Sequence, residues 1–437
     1  MNETLRFIIT ENQKHLESPA PIVTRDLEIL PVPRKATVVI GVRKCGKFTW
    51  MRERIERLLD EGVGRENICY IDFSDDRLAF LRAPDAEPSL ISDAYYQRYP
   101  QKHEERVYFF FSEIQYVNRW AQFINRIQTS EQCEVYLTGS SAKLLSIEIA
   151  TELGGRSFTW TLMPFSFREF LRFRGEGEEI VDFSSRDAAK AAFSAYLEQG
   201  GMPESLILPA ETMAGQYHQA LVNDVLVRDL LLRYNIPHAV QVKRLIQILM
   251  NSMSRLVTIN KLKQRLAGEQ KKLSGQLISE YLEKMADCFL LFTVPIRSYN
   301  LAVQAVNPKK VYAIDHALAM AFSEATGDNR GLCLENMVYI ELRRRTQQIF
   351  YYKTRRGGEI DFAVGPDHSI LLIQVCWELG KEGQTRDREI DSLIDAMEEL
   401  ECSEAQIITA WEEETIVDEM SGKTIRVVPA YKWLLER

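Results

Sequence analysis

Residues 36–54 read ATVVIGVRKCGKFTWMRER, a run that places a strand, a loop and a helix in immediate succession. The β-branched residues Val38, Val39 and Ile40 are typical of a parallel strand that is covered on both faces. Residues 41–47 then have the spacing G-x-x-x-x-G-K. In this spacing the loop amides and the helix amino terminus point at a bound phosphate, and the lysine reaches its outer oxygens. The run therefore predicts a phosphate-binding loop.

The position after the loop lysine departs from this pattern. A Ser or Thr hydroxyl at this position would coordinate Mg²⁺, but the residue is Phe48. Thr49 is not expected to replace that hydroxyl, because one step along a helix turns the side chain by roughly 100°. The residues of this segment predicted to contact a nucleotide are Gly41, Arg43, Lys44, Cys45, Gly46, Lys47, Phe48 and Thr49.

Length, charge and cysteine usage limit the classes of protein to consider. A chain of 437 residues predicts two to four domains. No run of about 18 apolar residues and no secretory signal are recognised, and the seven cysteines are scattered singly, so we expect a cytoplasmic protein without membrane contact. The net charge of −8 argues against non-specific coating of nucleic acid, but it is compatible with a local basic face.

Polar residues follow the next three predicted strands at the point where each strand ends. The three strands cover residues 68–73, 107–111 and 134–137. An acidic turn follows the first strand, Ser112 and Glu113 follow the second, and Thr138, Ser140 and Ser141 follow the third. Ligands of open α/β sheets bind just beyond the carboxyl ends of the strands, so we expect these side chains to face a ligand.

Eight short motifs follow one another along the chain: GVRKCGK, FFFSEIQ, LTGSS, LGGR, LMPFSFREFL, GGMPE, LEN and GGEIDF. In this order they resemble the prokaryotic ATPases of the AAA+ type that are fused to a C-terminal domain of unknown function with a restriction-endonuclease-like, PD-(D/E)xK core. The resemblance covers nearly the whole chain. It implies an α/β fold, in which a P-loop parallel-sheet domain with a helical lid precedes a winged helix and a C-terminal nuclease-like α/β domain.

The resemblance also implies domain boundaries. Residues 1–35 form an N-terminal helix and lead-in, residues 36–164 the nucleotide-binding domain, and residues 165–230 the lid. Residues 231–325 form the winged-helix domain, and residues 326–437 form the nuclease-like domain.

In the family that the chain resembles, the third strand ends in Asp-Glu, where the aspartate holds the Mg²⁺ shell and the glutamate polarises the attacking water. Here that pair is Ser112-Glu113, so Ser112 marks a degenerate metal position. Ser140 resembles the sensor that touches the γ-phosphate or the water. Arg156 is either a phosphate-sensing arginine or an ordinary surface arginine. The resemblance thus implies Glu113 and Arg156 as the catalytic residues.

Phe48 and Ser112 both affect Mg²⁺ binding, because each occupies a position where a Mg²⁺ ligand is expected. Lys47 and Glu113, which would contact the phosphate and the water, are kept. Phosphoryl transfer relies on the metal to neutralise charge on the β and γ oxygens. We therefore expect ATP to bind, its hydrolysis to be impaired, and Mg²⁺ to be held poorly.

A helix, turn, helix, strand, wing and strand order is predicted between residues 256 and 314, which is the order of a winged helix. Nine basic residues surround its second helix and wing: Lys261, Lys263, Arg265, Lys271, Lys272, Lys284, Arg297, Lys309 and Lys310. They would suffice for several phosphate contacts with double-stranded DNA. A charge run is also compatible with a solvated face or a protein-contact module, and both interpretations remain open.

The C-terminal domain has the element order of a PD-(D/E)xK nuclease core, in which a helix Glu, a strand Asp and a Glu-x-Lys hold Mg²⁺. Glu335 and Asp361 match the first two positions. The Glu-x-Lys position reads Gln374-Val375-Cys376, so one carboxylate and the lysine are missing. We therefore expect a vestigial nuclease site and a retained fold that acts as a binding module.

The leading hypothesis is an ATP-binding AAA+-type protein with impaired Mg²⁺-dependent hydrolysis, which acts as a nucleotide-linked regulator or scaffold. One alternative is an active Mg²⁺-dependent ATPase coupled to DNA or protein remodelling. A second alternative is a nucleic-acid-binding module with a vestigial nucleotide site. An oligomer is compatible with each of these.

Overall fold

The computed structural model describes residues 2–15, 23–140, 153–179, 183–266, 273–323, 327–366 and 369–436. The chain divides into two compact units, residues 1–163 and residues 164–437. Three residues of the predicted sites, Ser141, Lys271 and Lys272, lie outside the described residues. Within the described part of the chain, no helix is long and apolar enough to cross a membrane.

The first unit is built on a five-stranded parallel sheet flanked by helices. In chain order its main elements are α1 (Asn2–His15), β1 (Ala36–Ile40), α2 (Lys47–Asp60), β2 (Ile68–Asp72), α3 (Ser89–Arg98), β3 (Val107–Ser112), α4 (Trp120–Ser130), β4 (Cys133–Gly139) and β5 (Ser157–Thr161). The strand order is β2-β3-β4-β1-β5, and each neighbouring pair is parallel. This arrangement agrees with the predicted α/β P-loop architecture.

Four of the six residues of β3 are aromatic, and most of them are buried. Phe109, Phe110 and Phe111 are all fully buried, so both faces of this strand are covered. Phe111 packs against Phe73 at a ring separation of 5.6 Å, which closes one side of the sheet. The strand β5, which the sequence analysis did not predict, is partly exposed and lies at the edge of the sheet beside β1.

The second unit begins with helices. They are α5 (Phe167–Arg174), α6 (Phe183–Gln199), α7 (Glu211–Asp224) and a π-helix (Val225–Leu232). Ser166 and Glu169 form a capping box at the start of α5, which satisfies amides that the first turn leaves without helical partners. Gly200 and Gly201 form the turn after α6, and the Gly201 amide donates to the carboxylate of Asp315 at 2.7 Å.

A small three-stranded sheet with its helices follows. These elements are α8 (Ala239–Met250), β6 (Leu256–Val257), α9 (Ile259–Arg265), α10 (Gly275–Asp287), β7 (Leu291–Val294), α11 (Leu301–Val306), β8 (Lys309–Ala313) and α12 (His316–Phe322). The strand order is β6-β8-β7, and the pairs are antiparallel. Two helices followed by two paired strands occur in the predicted order, but residues 256 and 257 form the strand β6 instead of the start of a helix, and α11 lies between β7 and β8.

The last part of the chain is a helix followed by a mixed six-stranded sheet. Its elements are α13 (Arg330–Arg345), β9 (Ile349–Lys353), β10 (Glu359–Val364), β11 (Leu371–Val375), α14 (Gln384–Glu399), β12 (Glu404–Thr409), β13 (Glu414–Val417), β14 (Thr424–Pro429) and α15 (Ala430–Trp433). The strand order is β13-β14-β12-β11-β10-β9. The helix α14 connects the parallel strands β11 and β12, and its Leu393 and Met397 pack on Ile360, Leu372 and Ile407 of the sheet.

The turn at Gly201 provides a test of packing in the second unit. An added Cβ at Gly201 would lie 2.4 Å from the Phe165 carbonyl oxygen, so Gly201→Ala should destabilise the protein by about 1–3 kcal/mol. Gly215 in α7 is the matched control, because a Cβ there meets no heavy atom of the described residues within 4 Å. Gly215→Ala should stabilise by about 0.5–1 kcal/mol. Urea unfolding of both variants measures the difference, and equal midpoints would contradict this account.

Candidate functional site

The loop between β1 and α2 has the close packing that the predicted phosphate-binding loop requires. A Cβ on Gly41 would lie 2.1 Å from the carbonyl oxygen of Leu162, so this position has no room for a side chain. Gly46 precedes the first residue of α2 and has a φ of 98°, which is a left-handed conformation that favours glycine. Both glycines of the motif are thus required by the backbone itself.

The Lys47 side chain is hydrogen-bonded to the backbone of the loop. Its ammonium donates to the carbonyl oxygens of Gly41 and Val42, each at 3.0 Å, and the residue is only 7% exposed. An ammonium has three N–H donors, so these two bonds leave donor capacity for a phosphate oxygen. The side chain is therefore positioned over the loop by neutral carbonyl groups that a phosphate can replace.

Arg25 supports the loop from the N-terminal lead-in, and the sequence analysis missed it. Its guanidinium donates to the Cys45 carbonyl at 2.9 Å and to the Met163 carbonyl at 2.6 Å, and the residue is 9% exposed. A Cβ on Gly46 would lie 3.2 Å from the same guanidinium. Nothing in the local sequence pattern links Arg25 to a loop that begins 16 residues later, so only the structure identifies it as a positioning residue.

The side chains of the remaining loop residues differ in their exposure and hence in whether they can contact a nucleotide. Cys45 is fully buried, so it can contact a ligand only through its backbone. Lys44 is exposed and has a φ of 64°, while Arg43 and Thr49 are partly exposed.

Phe48 lies against β2. The residue is 49% exposed, and its ring packs on the ring of Tyr70 at a centroid separation of 5.9 Å. Burial, and then the nearby Asp72 carboxylate, raise the pKa of Tyr70. Position 48 thus contributes an aromatic contact to the site instead of an oxygen ligand.

Ser112, Glu113 and Ser140 lie together at the carboxyl ends of β3 and β4, as predicted. The Thr138 hydroxyl donates to the Ser112 hydroxyl at 3.3 Å, and the Glu113 amide donates to the Thr138 hydroxyl at 3.4 Å. The Gln115 amide donates to the Glu113 carboxylate and, at 3.4 Å, to the Ser140 hydroxyl. Thr138 and Gln115 therefore connect the predicted residues, and the motif FFFSEIQ is the sequence signal that includes Gln115.

Arg156 lies at the other end of the sheet. Its carbonyl oxygen accepts the Ala36 amide at 2.8 Å, at the start of β1, and its guanidinium donates to the Thr129 hydroxyl at 3.2 Å. Because β1 and β5 are parallel, Arg156 is at their amino ends, whereas the loop follows the carboxyl end of β1. This placement argues against Arg156 as a phosphate sensor for the nucleotide of its own chain.

Two of the predicted vestigial nuclease residues, Glu335 and Asp361, bind a lysine of the three-stranded sheet. The Lys310 ammonium, on β8, donates to Asp361 and, at 3.1 Å, to Glu335, and it lies 3.3 Å from Glu359. Lys310 is 3% exposed, so the prediction that it contacts DNA from the wing is wrong. Burial by itself lowers the pKa of Lys310, but attraction to Asp361 and Glu335 outweighs it and raises that pKa.

Glu335, Glu359 and Asp361 form an acidic centre around Lys310. Neighbouring residues donate further hydrogen bonds to it. Tyr312 donates to Glu335 at 2.7 Å, and Asp361 accepts the Val375 amide at 2.8 Å. Gln374 accepts the Asp361 amide at 3.0 Å and donates to Glu389 at 2.6 Å. Gln374 therefore joins the backbone of Asp361 to the carboxylate of Glu389 without adding a charge.

The acidic centre also has two features that bear on metal binding. Burial raises the pKa of Glu335 to about 8, and the neighbouring Asp361 contributes to this increase. Burial raises the pKa of Cys376 to about 12, so this thiol is protonated at neutral pH and does not replace a catalytic lysine. No group of three or more His, Cys, Asp or Glu residues suited to a metal ion is present in the part of the chain that the structure describes.

A cavity of about 570 Å³ lies beside this centre. Glu359, Asp361 and Gln374 form one part of its wall, and Arg356 and Arg388 form another. The guanidinium of Arg388 binds Glu389 at 2.6 Å, and that of Arg356 binds Asp395 at 2.7 Å. Both arginines of this wall are thus paired with carboxylates of α14.

Two further basic residues of the predicted DNA surface, Arg297 and Lys284, contact other residues of the protein. Arg297 donates to the Gly365 carbonyl at 3.0 Å and lies 5.5 Å from the centre of the Phe350 ring. Lys284 forms an ion pair with Glu280 and lies 5.0 Å from the Tyr234 ring. The structure therefore contradicts the use of Arg297 in a free wing, while Lys261 and Lys263 on α9 are exposed.

Family models match three consecutive parts of the chain. Residues 33–171 match an AAA domain, residues 190–329 match a domain of unknown function (DUF8612), and residues 330–433 match a second domain of unknown function (DUF4143). The descriptions of the second and third models name neither a winged helix nor a nuclease.

Two relatives align with almost the whole chain. An uncharacterised protein of Methanocaldococcus jannaschii is 31% identical over 440 residues, which cover 98% of this chain and 94% of the relative. An uncharacterised protein of Haemophilus influenzae is 28% identical over 401 residues, which cover 91% of this chain and 94% of the relative.

Solved structures with weaker similarity include two from archaea. The Walker-type ATPase of Pyrococcus abyssi is 16% identical with a TM-score of 0.42, and the alignment covers 66% of this chain and 90% of that one. The Aeropyrum pernix ORC1 protein in complex with DNA is 14% identical with a TM-score of 0.31, and the alignment covers 73% of this chain and 91% of that one.

The support that Arg25 gives to the loop can be measured. Hydrogen bonds that involve a charged group contribute about 1.5–3 kcal/mol, so Arg25→Gln should weaken nucleotide affinity by about ten- to a hundredfold. Arg34→Gln, an exposed arginine of the same lead-in, is the matched control and should leave the affinity unchanged. Titration with a fluorescent ATP analogue compares the two variants. Equal affinities would show that Arg25 does not position the loop.

Proposed function

We propose that this chain, which belongs to the same family as the uncharacterised protein of Methanocaldococcus jannaschii and has an AAA domain at residues 33–171, binds ATP at residues 41–47 and hydrolyses it slowly. The observation that carries this proposal is the position of Lys47. A buried ammonium held by two loop carbonyls at a helix amino terminus is suited to an anionic ligand, because the helix dipole and the amides add to its charge.

Slow hydrolysis is supported by the two positions that would hold Mg²⁺. Phe48 has no oxygen in its side chain and packs on Tyr70. Ser112 has only a neutral hydroxyl, which accepts a hydrogen bond from Thr138. Neither residue therefore supplies a charged oxygen ligand. Mg²⁺ requires near-ideal octahedral geometry and commonly uses carboxylates together with substrate phosphates. Without these ligands, charge on the transferred phosphoryl group is neutralised less well, and turnover falls more than binding does.

The retained polar cluster of Glu113, Gln115 and Ser140 supports some residual catalysis. Glu113 has a carboxylate that can orient a water molecule, and Gln115 ties this carboxylate to Ser140. A site that binds tightly and turns over slowly stays occupied for long periods. We therefore infer a role as a nucleotide-linked regulator or scaffold, in which the C-terminal domain is a catalytically silent, nuclease-like binding module.

A second candidate function, an ordinary Mg²⁺-dependent ATPase, is favoured by Asp72. This residue pairs with Ser112 in the register of β2 and β3, so a carboxylate lies one strand away from the missing one. Asp72 accepts the Ser74 amide at 2.9 Å, and burial raises its pKa. A metal-bound water between Asp72 and the phosphates would partly replace the lost ligand.

Steady-state hydrolysis separates the two functions. We expect a fluorescent ATP analogue to bind with and without Mg²⁺, while phosphate release stays well below about one turnover per second. A turnover at or above that rate which falls in Asp72→Asn would establish the ordinary ATPase. Undetectable binding would instead leave the nucleotide site vestigial.

Restoring the missing ligands tests whether they cause the deficit. Phe48→Thr returns a hydroxyl and Ser112→Asp returns a carboxylate, and each alone completes only half of an octahedral site. The double variant should therefore raise ATP turnover by more than the product of the two single effects.

Two controls complete this experiment. Phe48→Leu combined with Ser112→Asp removes the ring without returning a hydroxyl, so it should show a smaller gain. Adding Glu113→Gln to the restored variant should abolish the gain, since the water loses its polarising base. A restored variant that binds nucleotide but hydrolyses it no faster than the parent would refute the metal-centred explanation.

A further inference from the structure

We propose that the cavity lined by α10, β7, β8 and α13 binds a small organic monocarboxylate with an apolar body, and that Arg343 and Lys309 bind its charged group. The cavity lies within the second unit, so this inference does not rest on nucleotide binding by the first unit. None of the residues that line it belongs to the acidic centre around Lys310.

The size and walls of the cavity suit a small ligand with an apolar part. Its volume is about 180 Å³, whereas pockets for drug-sized molecules measure about 300–1,000 Å³. Leu282 and Ala286 of α10 are four residues apart, so they lie on the same face of the helix and line one wall. The buried rings of Phe292 and Tyr339 line another wall. A hydrocarbon group can pack against these apolar side chains.

Arg343 lines the cavity with a guanidinium that has no acidic partner. It lies 5.6 Å from the centre of the Phe292 ring, and among the described residues it forms no ion pair. The next two arginines of α13, by contrast, both pair with Glu341. A guanidinium that stacks on a ring keeps the N–H donors at its edge available, and their planar fork matches a carboxylate. Arg343 is therefore suited to bind the carboxylate of a ligand.

Lys309 adds a second positive charge to the cavity. Successive residues of a strand point to opposite faces, so Lys309 lines the cavity while Lys310 binds the acidic centre. Within the described ranges of the chain, the Lys309 ammonium has no carboxylate at ion-pair distance. Two positive charges that line one small cavity repel each other. A bound anion would relieve this repulsion.

Glu283 determines which kind of anion the cavity accepts. It is exposed, and it is the single acidic residue among the described residues that line the cavity. With Lys309 and Arg343 it gives a net charge of +1, which one carboxylate balances and a phosphate dianion would exceed. The hydroxyls of Ser279 and Thr293, which also line the cavity, are further donors for a carboxylate oxygen.

Fluorine NMR of para-fluorobenzoate with the full chain, without nucleotide, tests the proposal. The resonance of the probe should broaden when the parent protein is added. Arg343→Met and Lys309→Met should each weaken its affinity by about ten- to a hundredfold, because each removes a charged hydrogen-bond donor. Lys261→Met, which changes an exposed lysine of α9, is the matched control and should bind as the parent does. Equal binding by all four proteins would overturn the proposal.

The charges of the site and of the probe provide a second measurement. Glu283→Gln removes a like charge at an exposed position, so it should strengthen binding of the probe about threefold, even if Arg343→Met is misfolded. Para-fluorobenzamide has the same ring without the negative charge and should bind roughly tenfold more weakly than the carboxylate. Equal binding of the two probes, an unchanged affinity in Glu283→Gln, or displacement of the carboxylate by short duplex DNA at low salt would contradict a carboxylate site.

Discussion

The parallel pairing of β1, β4 and β3 is the constraint on which the nucleotide site depends. Parallel strands end at the same edge of a sheet, so this pairing places the loop after β1 beside the polar residues that follow β4 and β3. Those residues are separated along the chain by roughly 70 to 100 positions and share no local pattern. Without the common register, Lys47 and Glu113 could not serve one ligand.

The hydrogen-bond partners of two buried lysines determine whether each ammonium can still attract an anionic ligand. Lys47 is held by carbonyl dipoles, which stabilise an ammonium without neutralising it, so its charge can still attract phosphate. Lys310 is held by carboxylates, which neutralise it and leave little attraction for another anion. Desolvation is unfavourable for both ammonium groups, and only the first retains the ability to exchange partners.

Much of the fold could be predicted from the sequence, because its signals are local. The strand, loop and helix around residues 36–54, the strands of the first sheet other than β5, and the C-terminal order of α13, β9, β10, β11 and α14 follow from runs of apolar residues and their spacing. The short, half-exposed β5 was missed because an edge strand buries too little surface to leave a clear apolar pattern.

The sequence by itself determined which chemical groups are present: a loop lysine, a glutamate after β3, and two departures at Phe48 and Ser112. Only the tertiary structure decided where distant groups go. It brought Arg25 to the loop, took Arg156 to the opposite end of the sheet, and placed Lys310 among carboxylates. Such contacts join residues that are far apart in the chain, because they depend on strand register and on the burial of charge. The local spacing of residues therefore does not predict them.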